Sequence, residues 1–334
     1  MKGKKSIFKK VLLVLLIVLV LGFAIDLVIT EVYSHKIPHR YASAKEGREL
    51  MLSNDEYFNN CSQNDLDYRM QKTGATLEEY RNASADGVKS FNIFEMYFME
   101  HRIASIQKKL EKNSLEFPDI EEFVFIKTNM KYESGNNGYT HGTQIYLASA
   151  NVSLFPFLFW DSLFTENAEM LICHEMFHCL SRTNPDFRAQ MYSVINFSVA
   201  ESDFELPECV RDRYLSNPDV EHHNAYSTFN IEGQDIECFL VWTTTESFSD
   251  THGRFSDYDE TVLVPIDGSN IYYTIDQVSN FDEMFGSDSD YADDPEEIMA
   301  YSFTDAVIFG MEGRDGNGYS DPEIISGILD ILRR

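Results

Sequence analysis

The chain has 334 residues and a formal net charge of −28, and 43% of its residues are hydrophobic. That composition excludes wholesale disorder and allows one large domain or two modest ones. The charge makes nucleic acid a poor partner, because an acidic surface repels phosphate backbones.

Five lysines (Lys2, Lys4, Lys5, Lys9 and Lys10) crowd the first ten residues. Residues 11–25 then read VLLVLLIVLVLGFAI, and the apolar character runs on to Ile29. That is close to the ~20 residues needed to cross the hydrocarbon core of a bilayer. Basic flanks stay on the cytoplasmic side. We therefore expect a cytoplasmic tail at 1–10, a transmembrane signal anchor at 11–29, and the body of the chain outside a cell membrane. A signal peptide cleaved near Gly22-Phe23-Ala24, giving a secreted protein, is the rival reading.

Residues 30–115 read as a polar stalk followed by a helical region. Thr76-Leu77-Glu78-Glu79 marks a helix start with Thr76 as cap, and apolar residues recur at helical spacing over 89–112. Glu122–Thr128 alternates as a strand, 134–138 carries turn chemistry, and Thr143–Ala148 reads as a second strand. An aromatic-rich connection leads to a helix over 165–180, and Asn184-Pro185 opens another. Strands are expected at 238–244, 260–265 and 270–275, then an acidic loop over 282–294. Helices start at Asp294-Pro295 and Asp321-Pro322. Asp315–Asp321 lacks the last glutamate of a calcium loop and reads as a turn. The expected architecture is α+β, with residues 116–334 forming one domain. In it a small mixed sheet packs beside a long helix, and the C-terminal part is mostly helical. The five cysteines (Cys61, Cys173, Cys179, Cys209 and Cys238) include no CxxC pair. This leaves zinc clusters and dithiol redox motifs unsupported, while a disulfide or two is compatible with an extracellular position. Cys173 and Cys179 face different sides of one predicted helix and do not bridge each other.

The chemistry concentrates in His174-Glu175-Met176-Phe177-His178. Residues four apart on a helix differ by about 40° around its axis, so two imidazoles at that spacing converge on one metal. Zinc takes nitrogen ligands and keeps a position open in catalytic sites. Glu175 stands beside the pair, placed to take a proton from a zinc-bound water. A third ligand has to come from elsewhere. Glu297 is the leading candidate, because Ala300 one turn on leaves room for two helices to approach. Glu296 and Glu246 are alternates, and a carboxylate that merely complements a helix dipole is the plain alternative.

HEMFH followed by a later glutamate-bearing helix resembles the gluzincin, thermolysin-like zinc metallopeptidases. HEMFHCLSRTNP with the later SNPD and PEEIMA more closely resembles an uncharacterised family of bacterial zincin-like membrane or exported proteins. That resemblance covers roughly residues 120–332. It implies a zincin-like fold and Zn2+ held by His174, His178 and Glu297. Tyr301 stands where gluzincins usually place an acid that steadies a zinc-bound histidine. The resemblance also implies that the strand before the motif helix is an edge that binds extended peptide. Zincins need a donor for the developing oxyanion. Our candidates are His223 and Tyr226, with His222 beside them, while Arg182 and His141 read as helix-end and turn residues. The expected function is Glu-assisted, zinc-dependent cleavage of a peptide or protein substrate outside the membrane. The alternative is a catalytically inactive zinc protein acting as a membrane-anchored binding module.

Overall fold

The computed structural model describes residues 2–133, 137–152, 162–249, 253–285 and 294–333. Most of the expected turn at 134–138, most of the aromatic connection and most of the acidic loop lie outside these residues.

The chain opens with a long apolar helix, α1 (Lys2–Ser34), then a short strand, β1 (His39–Tyr41). Four short helices follow: α2 (Ala44–Leu52), α3 (Asp55–Asn60), α4 (Gln63–Met70) and α5 (Leu77–Asp86). Thr76 caps α5 in a reciprocal box with Glu79. The long α6 (Ile93–Lys112) starts at a second such box, Asn92 with Glu95. Next come β2 (Phe123–Thr128), β3 (Gly138–His141), β4 (Gln144–Ala148) and the single turn α7 (Ser149–Val152). Two consecutive helices, α8 (Ser162–Thr183) and α9 (Pro185–Val194), carry the chain past the histidine motif. A strand-rich region holds β5 (Ser198–Val199), α10 (Glu208–Arg211), β6 (Ala225–Ile231), β7 (Gln234–Thr244), β8 (Asp259–Pro265) and β9 (Tyr273–Thr274). The chain closes with α11 (Phe281–Phe285), α12 (Pro295–Phe309) and α13 (Pro322–Leu332).

The first sheet has the order β1-β2-β4-β3, parallel except for β3. Every residue of β2 is buried. Its side chains alternate between two cores, as the two-residue period of a strand requires. Phe123 and Phe125, with Ile145 and Leu147 of β4, face the large core built with α6, α8 and α12. Val124 and Ile126, with Tyr146 and Ala148, face the smaller core under α2–α5. The second sheet, β5-β6-β7-β8-β9, is antiparallel throughout.

The molecule is thus a mixed α+β protein, with three departures from the sequence reading. Residues 39–41 pair with Phe123–Phe125, so the expected stalk belongs to the folded body. Its apolar residues look sparse because they are spread over short helices, yet Met51, Tyr57 and Phe58 are all buried. The expected strand at 270–275 shrinks to two residues. The C-terminal part carries a five-stranded sheet as well as helices, including β6, a strand absent from the expected elements. The five cysteines are free, with Cys173 and Cys179 buried on α8.

Candidate metal centre

His174 and His178 lie one turn apart on α8. The start of α12 is aimed at them. Asp294 caps α12 by accepting the Glu296 backbone N–H at 2.9 Å, and Pro295 fills a first-turn position whose missing N–H costs nothing. Ala300 is fully buried and offers no side chain to hold α12 away from α8. As a result Glu297 Oε2 lies 3.2 Å from His174 Nε2 and 3.8 Å from His178 Nε2. One ligand atom from each of the three lies within 4.8 Å of the others. Donors held ~2.0–2.2 Å from a tetrahedral metal stand roughly 3.4 Å apart, so these spacings fit. His178 Nε2 is buried with no hydrogen-bond partner. This orphaned atom is what a metal site leaves for its ion.

The surrounding groups fix these donors. The other nitrogen of His178, Nδ1, lies 3.0 Å from Glu296 Oε1. Glu296 also accepts from the hydroxyls of Ser181 and Tyr192. Glu296 is therefore the carboxylate that sets the tautomer and ring angle of His178, rather than a ligand. Asn217 Nδ2 donates to Glu297 Oε1 at 2.9 Å and leaves Oε2 directed at the histidines. Burial by itself would lower the pKa of His178, but Asp219, Glu297 and Glu296 hold it up at about 10. Burial acts in the opposite sense on Glu297, yet His178 and His174 bring it down to about 2. The cluster draws positive charge, which a proton or a divalent cation can supply.

Glu175 stands between the histidines and the loop at 217–219, with a carboxylate oxygen within 4.8 Å of both His178 and Asp219. Burial, with Asp219 beside it, pushes its carboxyl well above the usual carboxylate range. Its Oε2 is buried and unpartnered. Gly138 closes over it so tightly that a Cβ there would sit 2.7 Å from Glu175 Cδ. Asp219 forms a second three-residue group with Glu175 and His178 that could hold a metal, and it accepts from Thr140 N and Oγ1 at 2.7 Å each. Asn217 Oδ1 accepts the Asp219 N–H at 2.9 Å. The Asn217-Pro218-Asp219 turn read from sequence is therefore present, and it also delivers two groups to the site.

Arg182 staples this loop to β3. It donates to Thr140 Oγ1 at 2.9 Å and Gly142 O at 3.1 Å, reaches the carbonyls of Pro218 and Asp219, and pairs with Glu221 at 2.7 Å. That is more than a cation at a helix end does. The edge beside the site is β3, since β4 lies inside the sheet. Ala148 N–H donates to Asn137 O, so by antiparallel alternation Gly138 and Thr140 turn their backbone groups outward. Asp219 already takes the Thr140 N–H.

The cavity over the centre has a volume of about 600 Å³ and reaches from His174, Glu175 and Glu297 to Trp242, Arg254 and Phe255. His223 and Tyr226 do not line it. His223 packs beside Phe239 with Nε2 3.0 Å from the Tyr214 hydroxyl, and burial brings its pKa down to about 4. Tyr226 sits on β6 against Phe204. His222 is exposed and pairs with Asp203 at 3.2 Å. The three fail as cleft residues because each is committed elsewhere: His223 packs on Phe239, Tyr226 on Phe204, and His222 faces solvent beside Asp203. Glu246 lies exposed beyond β7, outside the cavity lining. His141 is buried in β3 among Tyr57, Tyr139 and Tyr146. Sequence reasoning did not anticipate Asp219, Gly138 or the steering role of Glu296. The only local signals were the SNPD and PEE strings.

No protein-family model, curated protein or solved structure matches this chain. The site is defined by its own donor set, a His–His–Glu group with His178 and Glu297 buried and His174 half-buried, able to hold a metal ion, on a protein whose first helix is long and apolar enough to cross a membrane.

Proposed function

We propose that the protein is a zinc-dependent hydrolase of zincin type, anchored by α1, that cleaves peptide bonds outside the membrane. The observation that carries this reading is the convergence of His174 Nε2 and His178 Nε2 on Glu297 Oε2, with His178 Nε2 otherwise unpartnered. Two imidazoles and one carboxylate, with no thiolate, match the ligand choice of catalytic zinc sites. When bound, zinc supplies Lewis-acid charge that polarises a carbonyl and lowers the pKa of water to about 7. The remaining work falls to side chains. Glu175 Oε2, enclosed and without a partner, takes the proton of the attacking water and passes it to the departing amine nitrogen. Burial and the neighbouring Asp219 favour its protonated form, and a cation held by the adjacent ligands would favour the carboxylate that accepts the proton. Tyr301 lines the cleft with its ring 4.7 Å from that of His174, and it replaces His223 and Tyr226 as the candidate donor to the oxyanion.

The test pairs metal analysis with turnover of a broad peptide library. The wild-type chain holds one zinc and cleaves library members. Glu175→Gln keeps the zinc and loses about 10²–10⁴-fold in rate, the usual worth of a positioned general base. Full activity in that variant would remove Glu175 from its role.

A second reading, a membrane-anchored zinc protein that binds without turnover, has one observation in its favour. Among the described residues, no carboxylate partners Nδ1 of His174, and Tyr301 stands edge-on to that ring instead. Stoichiometric zinc with no library member cleaved would select it.

A further inference from the structure

Among the described residues outside α1, the two most exposed large apolar side chains are neighbours, Ile93 at 71% and Phe94 at 67%. They form the first turn of α6, immediately after its cap. Farther along, α6 is half or fully buried for most of its length, so the bare pair is confined to one end.

The packing of α1 against α6 shows where that end points. Tyr97 OH donates to Asp26 Oδ2 at 2.5 Å, and its ring lies 5.6 Å from that of Phe23. His101 Nε2 stands 3.1 Å from Asp26 Oδ2 and 3.3 Å from Thr30 Oγ1. Lys108 Nζ sits 4.8 Å over the Tyr33 ring, and Lys36 Nζ lies 2.6 Å from Glu111 Oε1. The contacts advance in the same direction along both helices, so α1 and α6 run parallel. At a rise of ~1.5 Å per residue, stepping back from Tyr97 to Phe94 and Ile93 moves roughly 5–6 Å toward the start of α1. That places the pair level with the stretch containing Leu19, Val20 and Leu21, inside the apolar run, where the α1 side chains are also exposed.

Two further features fit lipid rather than water around this tip. Asn92 Oδ1 accepts the N–H groups of Phe94 and Glu95, and Glu95 Oε2 accepts the N–H of Asn92. Three backbone donors at the helix start are thereby satisfied internally, as hydrocarbon demands. The α1 face turned to α6 carries the polar groups, Asp26 bonded and Thr30 and Ser34 buried, between the rings of Phe23 and Tyr33. Ile25, Val28 and Val32 on the outer face are exposed.

We propose that the first turn of α6 is a second membrane contact, with Ile93 and Phe94 entering the bilayer beside α1. The proposal rests on α1 being a membrane span. It gives the anchor a mechanical consequence. α6 is also bonded to α8 through Arg102 to Thr165 O at 3.4 Å, Ser105 to Glu169 at 2.9 Å and Lys109 to Glu169 at 2.7 Å. A body gripped at two helices holds the motif helix at a fixed height and tilt over the lipid, which a swivelling tether does not. The cleft then selects substrate segments by their distance from the membrane.

The experiment places the photo-crosslinker p-benzoylphenylalanine at position 94 of the full chain. The protein is reconstituted in phosphatidylethanolamine–phosphatidylglycerol vesicles. Position 20 in α1 and position 271, an exposed isoleucine on the second-sheet side, carry the same group in parallel chains. After irradiation, phospholipid adducts read by mass spectrometry are expected at 94 with a yield comparable to 20, and none at 271. Adducts at 20 without any at 94 overturn the proposal and leave the anchor standing. The absence of adducts at 20 removes the anchor and the proposal with it. A protein adduct in place of lipid at 94, or equal lipid labelling at 271, also overturns it.

Discussion

Helices α6 and α12 begin alike and end up in different roles. Each has an Asx cap and a buried glutamate in its first turn. In α6 the glutamate looks inward. Glu95 closes the capping box at 2.7 Å and takes Lys127 Nζ at 2.6 Å, and neither side chain keeps a buried atom without a partner. In α12 the cap is left to Asp294, and Glu296 and Glu297 reach across to two histidines, leaving His178 Nε2 orphaned. A first-turn carboxylate is therefore ambiguous in a sequence. What it faces across the helix interface decides whether it is a structural counter-charge or part of a site.

The comparison breaks most sharply at Glu297. Glu297→Ala loses stoichiometric zinc and all library cleavage, as measured by metal content after dialysis, while the far-ultraviolet circular dichroism of the fold persists. Retention of one zinc per chain would assign the third ligand elsewhere, with Asp219 first in line. Gly138→Ala comes next. Its new Cβ displaces the Glu175 carboxylate, so turnover falls by about 10²-fold or more for a misplaced base while zinc stays bound. Unchanged kcat would show that Glu175 does not work from its observed position.

Glu296→Gln sharpens the contrast, because it keeps the shape and removes the charge that steadies His178. Zinc affinity is expected to drop ~10–100-fold, the usual cost of losing a ligand's supporting carboxylate. A competition titration against a chelator reads this directly. The same substitution at the other helix start, Glu95→Gln, strands Lys127 and costs about 3–5 kcal/mol of stability. It leaves zinc affinity unchanged. Equal effects of the two variants on zinc would erase the distinction between the two helix starts.

Local chemistry was legible where the signal was local. The Thr76 box, Pro185 and Pro295 at helix starts, and the alternating strand at 123–128 all stand close to where the sequence puts them. The pairing of β1 with β2 was not, because three residues at 39–41 carry no periodic pattern and gain their partner from 84 positions away. The zincin resemblance implied that the strand before the motif helix is an edge, yet β3 pairs antiparallel outside β4 and takes the edge position itself. His223 and Tyr226 looked available because loop residues between two motifs have no fixed direction until a sheet gives them one.

By itself the sequence determined that two imidazoles share one face of a helix and that an apolar run precedes an acidic body, since both follow from spacing and composition. The tertiary structure decided which late carboxylate meets those imidazoles, which one only steadies them, and which residues wall the cleft. Those choices depend on how α12 and the 217–219 loop dock against α8. Docking is set by the burial of side chains such as Ala300, Ile298 and Phe303 in a common core, and no periodicity within a single segment encodes it.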